Sequence, residues 1–256
     1  GPKYLANKNS PLFIKWGYMP RMLPWLIRFL SNATDKGARH VVGSLGPLLS
    51  DAVDQHKSLV QNTPLDGWVC DSKISFVYKN KKHFDSDAFS WRMKKTAGLI
   101  PKAVTGDAVQ EEEPILGNNY RYLAVLEGQG HITDPGQYVA KLADHFISLG
   151  GRVISAEVHD LQKNTNGRVS GIDTDIGTIP CDFAVITAGI WSKELTKKLG
   201  LKIPLEAERG YHVIFKNPSV LPRNPLLMVD GKFGVNSMDM GSVSYTHLTL
   251  PTRSYV

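Results

Sequence analysis

The apolar run Phe183–Ile186 constrains the fold more than any other feature of this sequence. Its four residues, Phe-Ala-Val-Ile, lead into the small residues Thr187–Gly189. A continuous apolar run is typical of a strand buried on both faces, as in a parallel sheet covered by helices. A helix predicted over Trp191–Leu199 and ended by Gly200 follows. The pattern predicts an open α/β sheet, whose ligands bind at the carboxyl ends of strands, here Thr187–Gly189. The alternative is that the small residues there only serve packing.

The elements before this run agree with an α/β arrangement. Asp134-Pro135-Gly136-Gln137 combines a capping Asp, a first-turn Pro and a Gln three residues after the cap, so a helix should begin there and end at Gly150-Gly151. Three further segments should form β-strands. These are the strand Arg152–Ala156, the hairpin Glu157–Lys163 with Arg168–Thr174, and the short strand Thr178–Pro180.

The first half of the chain has an α+β pattern without a functional motif. Helices and strands are predicted from hydrophobic periodicity, β-branched runs and the Pro and Gly positions. The predicted elements are a helix over Pro24–Leu30 broken before it by Pro20, a helix over Ala38–Gln61, a hairpin of Gly67–Asp71 with Ile74–Lys79, a helix over Phe84–Ala97, a helical turn at Ala108–Glu113 and a strand at Tyr120–Leu126.

Charge is unevenly distributed along the chain. The net charge is +6, and residues 1–82 contain 12 Lys/Arg but only five Asp/Glu. A basic region can face membrane headgroups, nucleic acid or an acidic substrate, or it can be an ordinary solvated surface. The aromatic helix Pro24–Leu30 with its basic flanks is also typical of an interfacial membrane helix, the alternative being packing against the protein. Cys70 and Cys181 lack metal-site spacing, so no metal is expected and a reducing compartment is favoured.

Five short motifs together resemble one enzyme family. They are GHITDP (130–135), LGG (149–151), EVHDL (157–161), FAVITAGIWS (183–192) and IPLEAERGYHV (203–213). Chains with these motifs resemble the FAD-dependent oxidoreductases of the D-amino acid oxidase superfamily, and most nearly the branch of D-amino acid dehydrogenase-like proteins. The resemblance covers nearly all of residues 1–241.

The resemblance implies an α/β (α+β) fold with two interleaved domains. Residues 1–129 would be part of a substrate domain with a mixed or antiparallel sheet, and residues 130–202 the middle of a Rossmann-like FAD-binding domain. Residues 203–241 would return to the substrate domain.

The resemblance also implies roles for particular residues. The backbone of Val158 would contact the adenine of FAD, Thr187, Ala188 and Gly189 would line the cofactor, and Trp191 would pack beside it. Arg209 and Tyr211 would face the substrate cavity, where an arginine fork and a phenolic hydroxyl suit a carboxylate. His131 would lie near the same cavity.

Structural roles are the alternatives for these residues. Arg209 could pair with Glu206 or Glu208, and His131 could be a local hydrogen-bonding residue. Because side chains alternate along a strand, His212 should face away from Tyr211 and be structural.

The implied chemistry is oxidation of an amino acid. A hydride would pass from the substrate Cα to the flavin, and hydrolysis of the imino acid would give a 2-oxo acid and ammonia. Glycine or sarcosine oxidases and 2-hydroxyacid dehydrogenases are alternatives within this chemistry. A non-catalytic module that binds membrane or nucleic acid is the alternative of another class. For the enzyme we expect no nucleic-acid partner and a cytoplasmic location, with peripheral attachment to the inner face of the bacterial membrane as a variant; the electron acceptor is open.

Both ends of the sequence suggest a fragment. The family's GxGxxG phosphate-binding unit is absent from this sequence, and so is the family's final segment; we therefore expect the isolated chain not to retain FAD and to be inactive. Val243–Thr252, VSYTHLTLPT, has no pattern that continues the predicted strand Gly234–Met238. One reverse translation of it resembles a transposase-based sequencing adapter. Residues 243–256 are thus predicted to be a non-native tail.

Overall fold

The structure is a computed structural model that describes the backbone of residues 17, 19–205, 207, 209–239 and 241–249. The side chains of Arg21, Arg209, Tyr211 and residues 241–249 lie outside this description. The chain divides into two compact units. Unit 1 comprises the residues up to His145 together with those from Arg209 onward, and unit 2 comprises Phe146–Glu208.

Eight α-helices and ten strands are described. The helices are α1 Met19–Asn32, α2 Asp35–Leu49, α3 Ala52–Val60, α4 Lys81–Ser86, α5 Ala88–Thr96, α6 Ala108–Glu112, α7 Pro135–Ser148 and α8 Ser192–Lys198. The strands are β1 Cys70–Tyr78, β2 Lys102–Thr105, β3 Tyr122–His131, β4 Val158–Lys163, β5 Val169–Thr174, β6 Gly177–Pro180, β7 Arg209–Phe215, β8 Leu226–Met228, β9 Phe233–Met238 and β10 Gly241–Thr249.

Unit 1 is built on a seven-stranded mixed sheet in the order β2-β3-β1-β8-β9-β10-β7. The pairing of β1 with β8 is parallel, and the other described pairings in this sheet are antiparallel. The expected α/β class with a mixed sheet is confirmed.

The core of unit 1 lies on both faces of its central strands. Because successive side chains point to opposite faces, Leu123 and Val125 pack with Val77 on one face. Tyr122 and Ala124 pack with Tyr78 and Trp91 on the other. Burial on both faces explains why β1 and β3 have few polar positions at their centre.

The helical segments of the first half are longer or more divided than predicted. Pro24, predicted to begin a helix, lies inside α1, which begins at Met19. The predicted helix Ala38–Gln61 is two helices, α2 and α3, and α2 begins where the Thr34 hydroxyl accepts a hydrogen bond from Gly37 N at 3.1 Å. The predicted helix Phe84–Ala97 is likewise divided into α4 and α5 at Asp87. The predicted turn at Ala108–Glu113 is confirmed as α6.

The predicted hairpin within residues 67–79 is wrong. Residues Cys70–Tyr78 form the single strand β1, and the polar residues Ser72 and Lys73 lie at an irregularity in its register with β3 rather than in a turn. β1 pairs with β3 on one side and β8 on the other. Its partners are therefore distant in sequence, which a local hairpin pattern cannot indicate.

Unit 2 contains the predicted meander but not the predicted apolar strands. β4, β5 and β6 form an antiparallel three-stranded sheet, as expected. The segments Arg152–Ala156 and Phe183–Ile186 have no regular strand structure, and the Phe183 and Val185 side chains are 90% and 86% exposed. The prediction of a doubly buried strand is wrong for this structure because no described strand of unit 2 pairs with either segment.

The two helix predictions around these segments are close to the structure. α7 begins as predicted, with Asp134 Oδ1 accepting a hydrogen bond from Gln137 N at 2.9 Å. The helix predicted over Trp191–Leu199 is a 3-10 turn at Gly189–Trp191 followed by α8.

β10 covers the first half, residues 243–249, of the segment predicted to be a non-native tail. Its backbone pairs antiparallel with β9 on one side and β7 on the other. The sheet thus continues past β9, unlike the expectation from the sequence pattern, while the origin of these residues stays a prediction.

Candidate functional site

A cavity of about 250 Å³ lies at one end of the sheet of unit 1. It is formed where the end of β3, the bulged part of β1, the residue before β8 and the end of β9 meet. Its lining residues are Lys73, Ile74, Gln129, Gly130, His131, Ile132, Pro225, Asn236, Ser237 and Met238. The cavity is smaller than the roughly 300–1,000 Å³ of pockets for drug-sized ligands, so its size suits a small polar molecule.

His131, the last residue of β3, is a predicted catalytic residue that lines this cavity. Its Nδ1 atom is buried and has no hydrogen-bond partner within the described residues. A buried polar atom without a partner is costly, and native structures usually satisfy it with a protein group, water or ligand. A neutral imidazole offers one donor and one acceptor nitrogen, so His131 can bind either a carboxylate or an amine.

Lys73 adds positive charge to the wall of the cavity. Its Nζ lies 3.1 Å from Glu112 Oε1, and both side chains are only partly exposed. The ion pair partly offsets the charge of Lys73 and fixes its position against α6.

Two contacts hold the cavity wall formed by β9. The Ser237 hydroxyl donates a hydrogen bond to Pro222 O at 2.7 Å. Asp239, just after β9, receives a hydrogen bond from the Thr133 hydroxyl at 3.0 Å, and its backbone N–H donates to Thr133 O at 3.2 Å. The end of β9 is thereby fastened to the loop that follows His131.

Gly130 allows α3 to approach β3 beside the cavity. A Cβ atom at this position would lie 2.9 Å from Val53 Cγ1 and 3.4 Å from Cys70 O. The glycine of the GHITDP motif therefore has a packing role next to His131.

The strand that carries Arg209 and Tyr211 is distant from β3 in the sheet. Both belong to β7, at the edge of the sheet, and β1, β8, β9 and β10 separate β7 from β3. At about 4.8 Å between neighbouring strands, roughly 24 Å divides the two strands along the sheet. The side chains of Arg209 and Tyr211, and their predicted inward direction, lie outside the described residues, as do Glu206 and Glu208. His212 is exposed and is also in β7.

The predicted FAD-contacting residues all belong to unit 2. Val158 is the first residue of β4, which is the edge strand of the three-stranded sheet. Thr187 and Ala188 lie outside regular structure, Gly189 begins the 3-10 turn, and Trp191 ends it with a largely exposed side chain.

The predicted FAD-contacting residues of unit 2 are suited to contact one part of a dinucleotide. Among the described strands β4 pairs only with β5, so its other edge at Val158 leaves backbone groups for a base to contact. Gly189 has φ +55°, and a Cβ atom added there would meet no other atom within 4 Å, so a ligand can come close to its backbone. The short 3-10 turn and α8 contain no glycine-rich loop for binding phosphate. The described residues of unit 2 therefore suit contact with the base of a dinucleotide and contact at the Gly189 turn, but they do not supply a phosphate-binding loop.

Lys73, Gln129 and Asn236 line the cavity although the sequence pattern did not indicate them. They come together only through the antiparallel register of β1 with β3 and the pairing of β8 with β9. The polar pair Ser72-Lys73 inside an otherwise β-rich run was the sequence feature that marks this part of the cavity, but the pattern predicted a turn there.

Comparison with known proteins shows the family. The family model described as FAD dependent oxidoreductase matches residues 18–245. A D-amino-acid oxidase of Bradyrhizobium diazoefficiens is 35% identical over 241 residues, which cover 94% of this chain and 57% of the relative. A D-amino acid dehydrogenase of the same organism is 25% identical over 232 residues, covering 88% of this chain and 54% of the relative.

A solved structure supports the same fold. Iminodiacetate oxidase from Chelativorans sp. BNC1 superimposes with a TM-score of 0.63 at 18% identity, over 81% of this chain and 56% of that chain.

Fold and sequence together define a flavoprotein oxidoreductase. The chain belongs to the FAD-dependent oxidoreductase family that contains D-amino-acid oxidase, as the resemblance predicted. It spans just over half the length of these relatives.

Proposed function

We propose that the protein containing this chain oxidises the Cα–N bond of an α-amino acid, giving a 2-oxo acid and ammonia. The cavity lined by His131 and Lys73 carries this proposal, because its wall contains an imidazole and a positively charged side chain in a member of an FAD-dependent family. The relatives named D-amino-acid oxidase and D-amino acid dehydrogenase support an amino-acid substrate. FAD, when bound, supplies the acceptor for the hydride of the substrate.

In this proposal unit 1 holds the substrate. The His131 imidazole forms a hydrogen bond with its carboxylate or amine, and Lys73 adds a favourable charge for the carboxylate. The walls formed by β3 and β9 orient the Cα–H bond and exclude water, which is the main contribution a protein makes to cofactor-based oxidation.

Arg209 and Tyr211 remain proposed carboxylate ligands on the strength of the resemblance. One small amino acid cannot contact both β3 and β7 across four intervening strands, so His131 and this pair are competing positions for the substrate. Val158, Thr187, Ala188, Gly189 and Trp191 are proposed to contact FAD in unit 2.

Substrate binding by His131 is tested without the cofactor. The imidazole resonances of His131 are followed by NMR while D-alanine, glycine or benzoate is added to the chain. We expect saturable shifts at His131 that are absent in a Ser237→Ala/Lys73→Met variant with a weakened cavity wall. Shifts confined to His212 or residues of β7 would instead place the substrate at Arg209 and Tyr211.

Activity is tested in the whole protein. We expect His131→Ala to lower kcat/KM about tenfold or more, as removal of a hydrogen bond to a charged group does, with the flavin absorbance retained. His40→Ala is the control, since it removes an exposed imidazole from α2, which carries neither of the two proposed substrate positions. Unchanged kcat/KM in His131→Ala would refute the proposed role of the cavity.

The nitrogen product distinguishes the alternatives. An α-amino acid releases ammonia. Sarcosine releases methylamine if its Cα–N bond is oxidised, or formaldehyde and glycine if its N-methyl group is oxidised, and a 2-hydroxyacid gives a 2-oxo acid without a nitrogen product. Family membership favours any of these oxidations over a non-catalytic binding module.

A further inference from the structure

Helix α1 exposes an apolar stripe that no described residue covers. Leu23, Ile27 and Leu30 are spaced by four and three residues, so they lie on one side of the helix. All three are exposed, Ile27 to 59%. Met22, on another side, is buried and anchors the helix.

Helix α2 repeats this arrangement. Val41, Leu45 and Leu48 have the same spacing and are also exposed, Leu48 to 72%. Only two residues, Ala33 and Thr34, separate the helices. Two helices adjacent in sequence thus each leave a leucine-rich stripe in solvent, and exposed apolar stripes of this kind mark sites of interaction with a protein or a membrane.

Basic residues occupy the other sides of both helices. At 3.6 residues per turn, Arg28 lies away from the stripe of α1, and Lys36 and Arg39 lie away from the stripe of α2. Residues 19–49 contain four Lys/Arg and a single acid, Asp35, which pairs with Arg39 at 2.8 Å. Within the described residues, neither Arg28 nor Lys36 forms an ion pair.

This combination identifies the chemistry of the partner. An apolar face with a basic polar face is the pattern of helices that lie in the interface of a membrane and are attracted by anionic lipids. Nucleic acid would use the basic residues but not the leucine stripes. The described helices are too short or too polar to cross a membrane, which agrees with a position in the interface.

We propose that α1 and α2 form a docking surface for an anionic phospholipid membrane. The stripes Leu23–Ile27–Leu30 and Val41–Leu45–Leu48 enter the boundary between headgroups and acyl chains, and Arg28 and Lys36 contact the anionic headgroups. The protein is thereby peripheral, with the helices parallel to the membrane plane. The docking does not depend on the proposed oxidation.

The test is sedimentation of the 256-residue chain with vesicles. Vesicles of phosphatidylcholine with roughly 30% phosphatidylglycerol, an anionic content that attracts basic helices, are compared with vesicles of phosphatidylcholine alone. We expect binding to the anionic vesicles that weakens as salt is raised, and little binding to the neutral ones.

Two pairs of variants test the two faces separately. Ile27→Glu/Leu48→Glu should reduce binding roughly tenfold or more, because each places a charge in the apolar boundary. Val139→Glu is the control, since Val139 is 64% exposed on α7 and should leave binding unchanged. Arg28→Gln/Lys36→Gln should reduce binding to anionic vesicles roughly fivefold for each charge removed. Lys163→Gln/Arg168→Gln removes the same charge from the exposed meander and should have little effect.

Three results would overturn the proposal. They are no binding to anionic vesicles, equal loss of binding in Val139→Glu, and undiminished binding in Ile27→Glu/Leu48→Glu. A change in oligomeric state caused by the last variant, without vesicle binding by the parent chain, would assign the stripes to a protein partner instead. Circular dichroism confirms that each variant is folded.

Discussion

The sheet of unit 1 and the apolar run of unit 2 have similar sequences but opposite environments. Leu123–Val125 in β3 is buried on both faces between β1 and β2. Phe183–Ile186 is equally apolar, yet Phe183 and Val185 are almost fully exposed and belong to no strand. The difference is the presence of neighbouring strands: β3 has two, and the run in unit 2 has none in the described structure.

An apolar run in a sequence predicts some properties of a segment but not others. It predicts that the segment can be buried, because its side chains gain about 25 cal/mol per Å² of surface removed from water. It does not predict which strands will cover it. A run whose backbone groups lack partners gains neither the ladder of hydrogen bonds nor the burial.

The largest expected effect is a cavity in the buried run. Leu123→Ala should lower the free energy of unfolding by about 2–5 kcal/mol, because it removes a fully buried side chain. Phe183→Ala is the counterpart in unit 2 and should change it by less than about 0.5 kcal/mol. Urea unfolding of the two variants measures both values, and similar losses would show that the two runs share one environment.

The next effect concerns the hydrogen bonds of the unit 1 core. The Tyr78 hydroxyl donates to Asp87 Oδ2 at 2.8 Å and accepts from Trp91 Nε1 at 2.7 Å. Tyr78→Phe leaves the buried Trp91 N–H without its partner and should cost about 1–3 kcal/mol. Tyr122→Phe removes a hydroxyl that has no hydrogen bond within the described residues and should cost clearly less. Thermal unfolding compares the two, and an equal cost would contradict the proposed importance of the Trp91 hydrogen bond.

A pH-dependent effect is expected from a carboxyl group buried in unit 1. Glu113 is buried and accepts hydrogen bonds from the backbone N–H groups of Arg223, at 2.8 Å, and Asn224, at 3.4 Å. Burial raises its pKa above the ordinary 4.5, although these N–H groups act in the opposite direction. Because the pKa of Glu113 is higher in the folded state than in the unfolded state, protonation of Glu113 stabilises the fold. This contribution to the free energy of unfolding is complete below pH 4.5 and is lost as the pH rises through the raised pKa.

Glu113→Gln removes this titration. The stability of the parent chain relative to Glu113→Gln should therefore fall as the pH rises above about 4.5. Urea unfolding between about pH 4 and pH 8 measures the difference, with the exposed Glu111→Gln as the control. A difference that is constant with pH would contradict the raised pKa.

The smallest effect is expected at the turn of unit 2. Gly189 has φ +55°, so Gly189→Ala should cost about 1 kcal/mol from backbone strain alone, since its Cβ meets open space. Gly43→Ala in α2, where space is also open, should be neutral or slightly stabilising because alanine favours helix. Equal effects in the two variants would show that the turn is not held in its left-handed conformation.

Local signals in the sequence predicted the elements that depend on neighbouring residues. The Asp134 cap of α7, the Gly167 turn between β4 and β5, and α6 follow from caps, glycines and short-range pairing, and they were predicted. The course of β1 and the fate of Phe183–Ile186 depend on distant strands, and both predictions failed. The family motifs identified the oxidoreductase family correctly, because a motif records long-range structure that periodicity does not.

For the candidate site, too, the sequence did not predict features that depend on distant strands. His131 was found because it belongs to a motif, whereas Lys73 and Asn236 reach the cavity only through strand register. The order of strands also separates His131 from Arg209 and Tyr211, which no spacing in the sequence indicates.

The parallel pairing of β1 with β8 has a consequence for synthesis of the protein. Ser75–Val77 pairs with Leu226–Met228. This pairing cannot form until the ribosome has synthesised the residues between the two segments, which include all of unit 2. At about 5–20 residues per second the delay is on the order of ten seconds. During that time the nascent chain carries an open strand edge, the kind of surface that invites pairing with another chain. Slow translation or a shortage of chaperones should therefore lower the yield of this protein more than that of one whose sheet closes between consecutive strands.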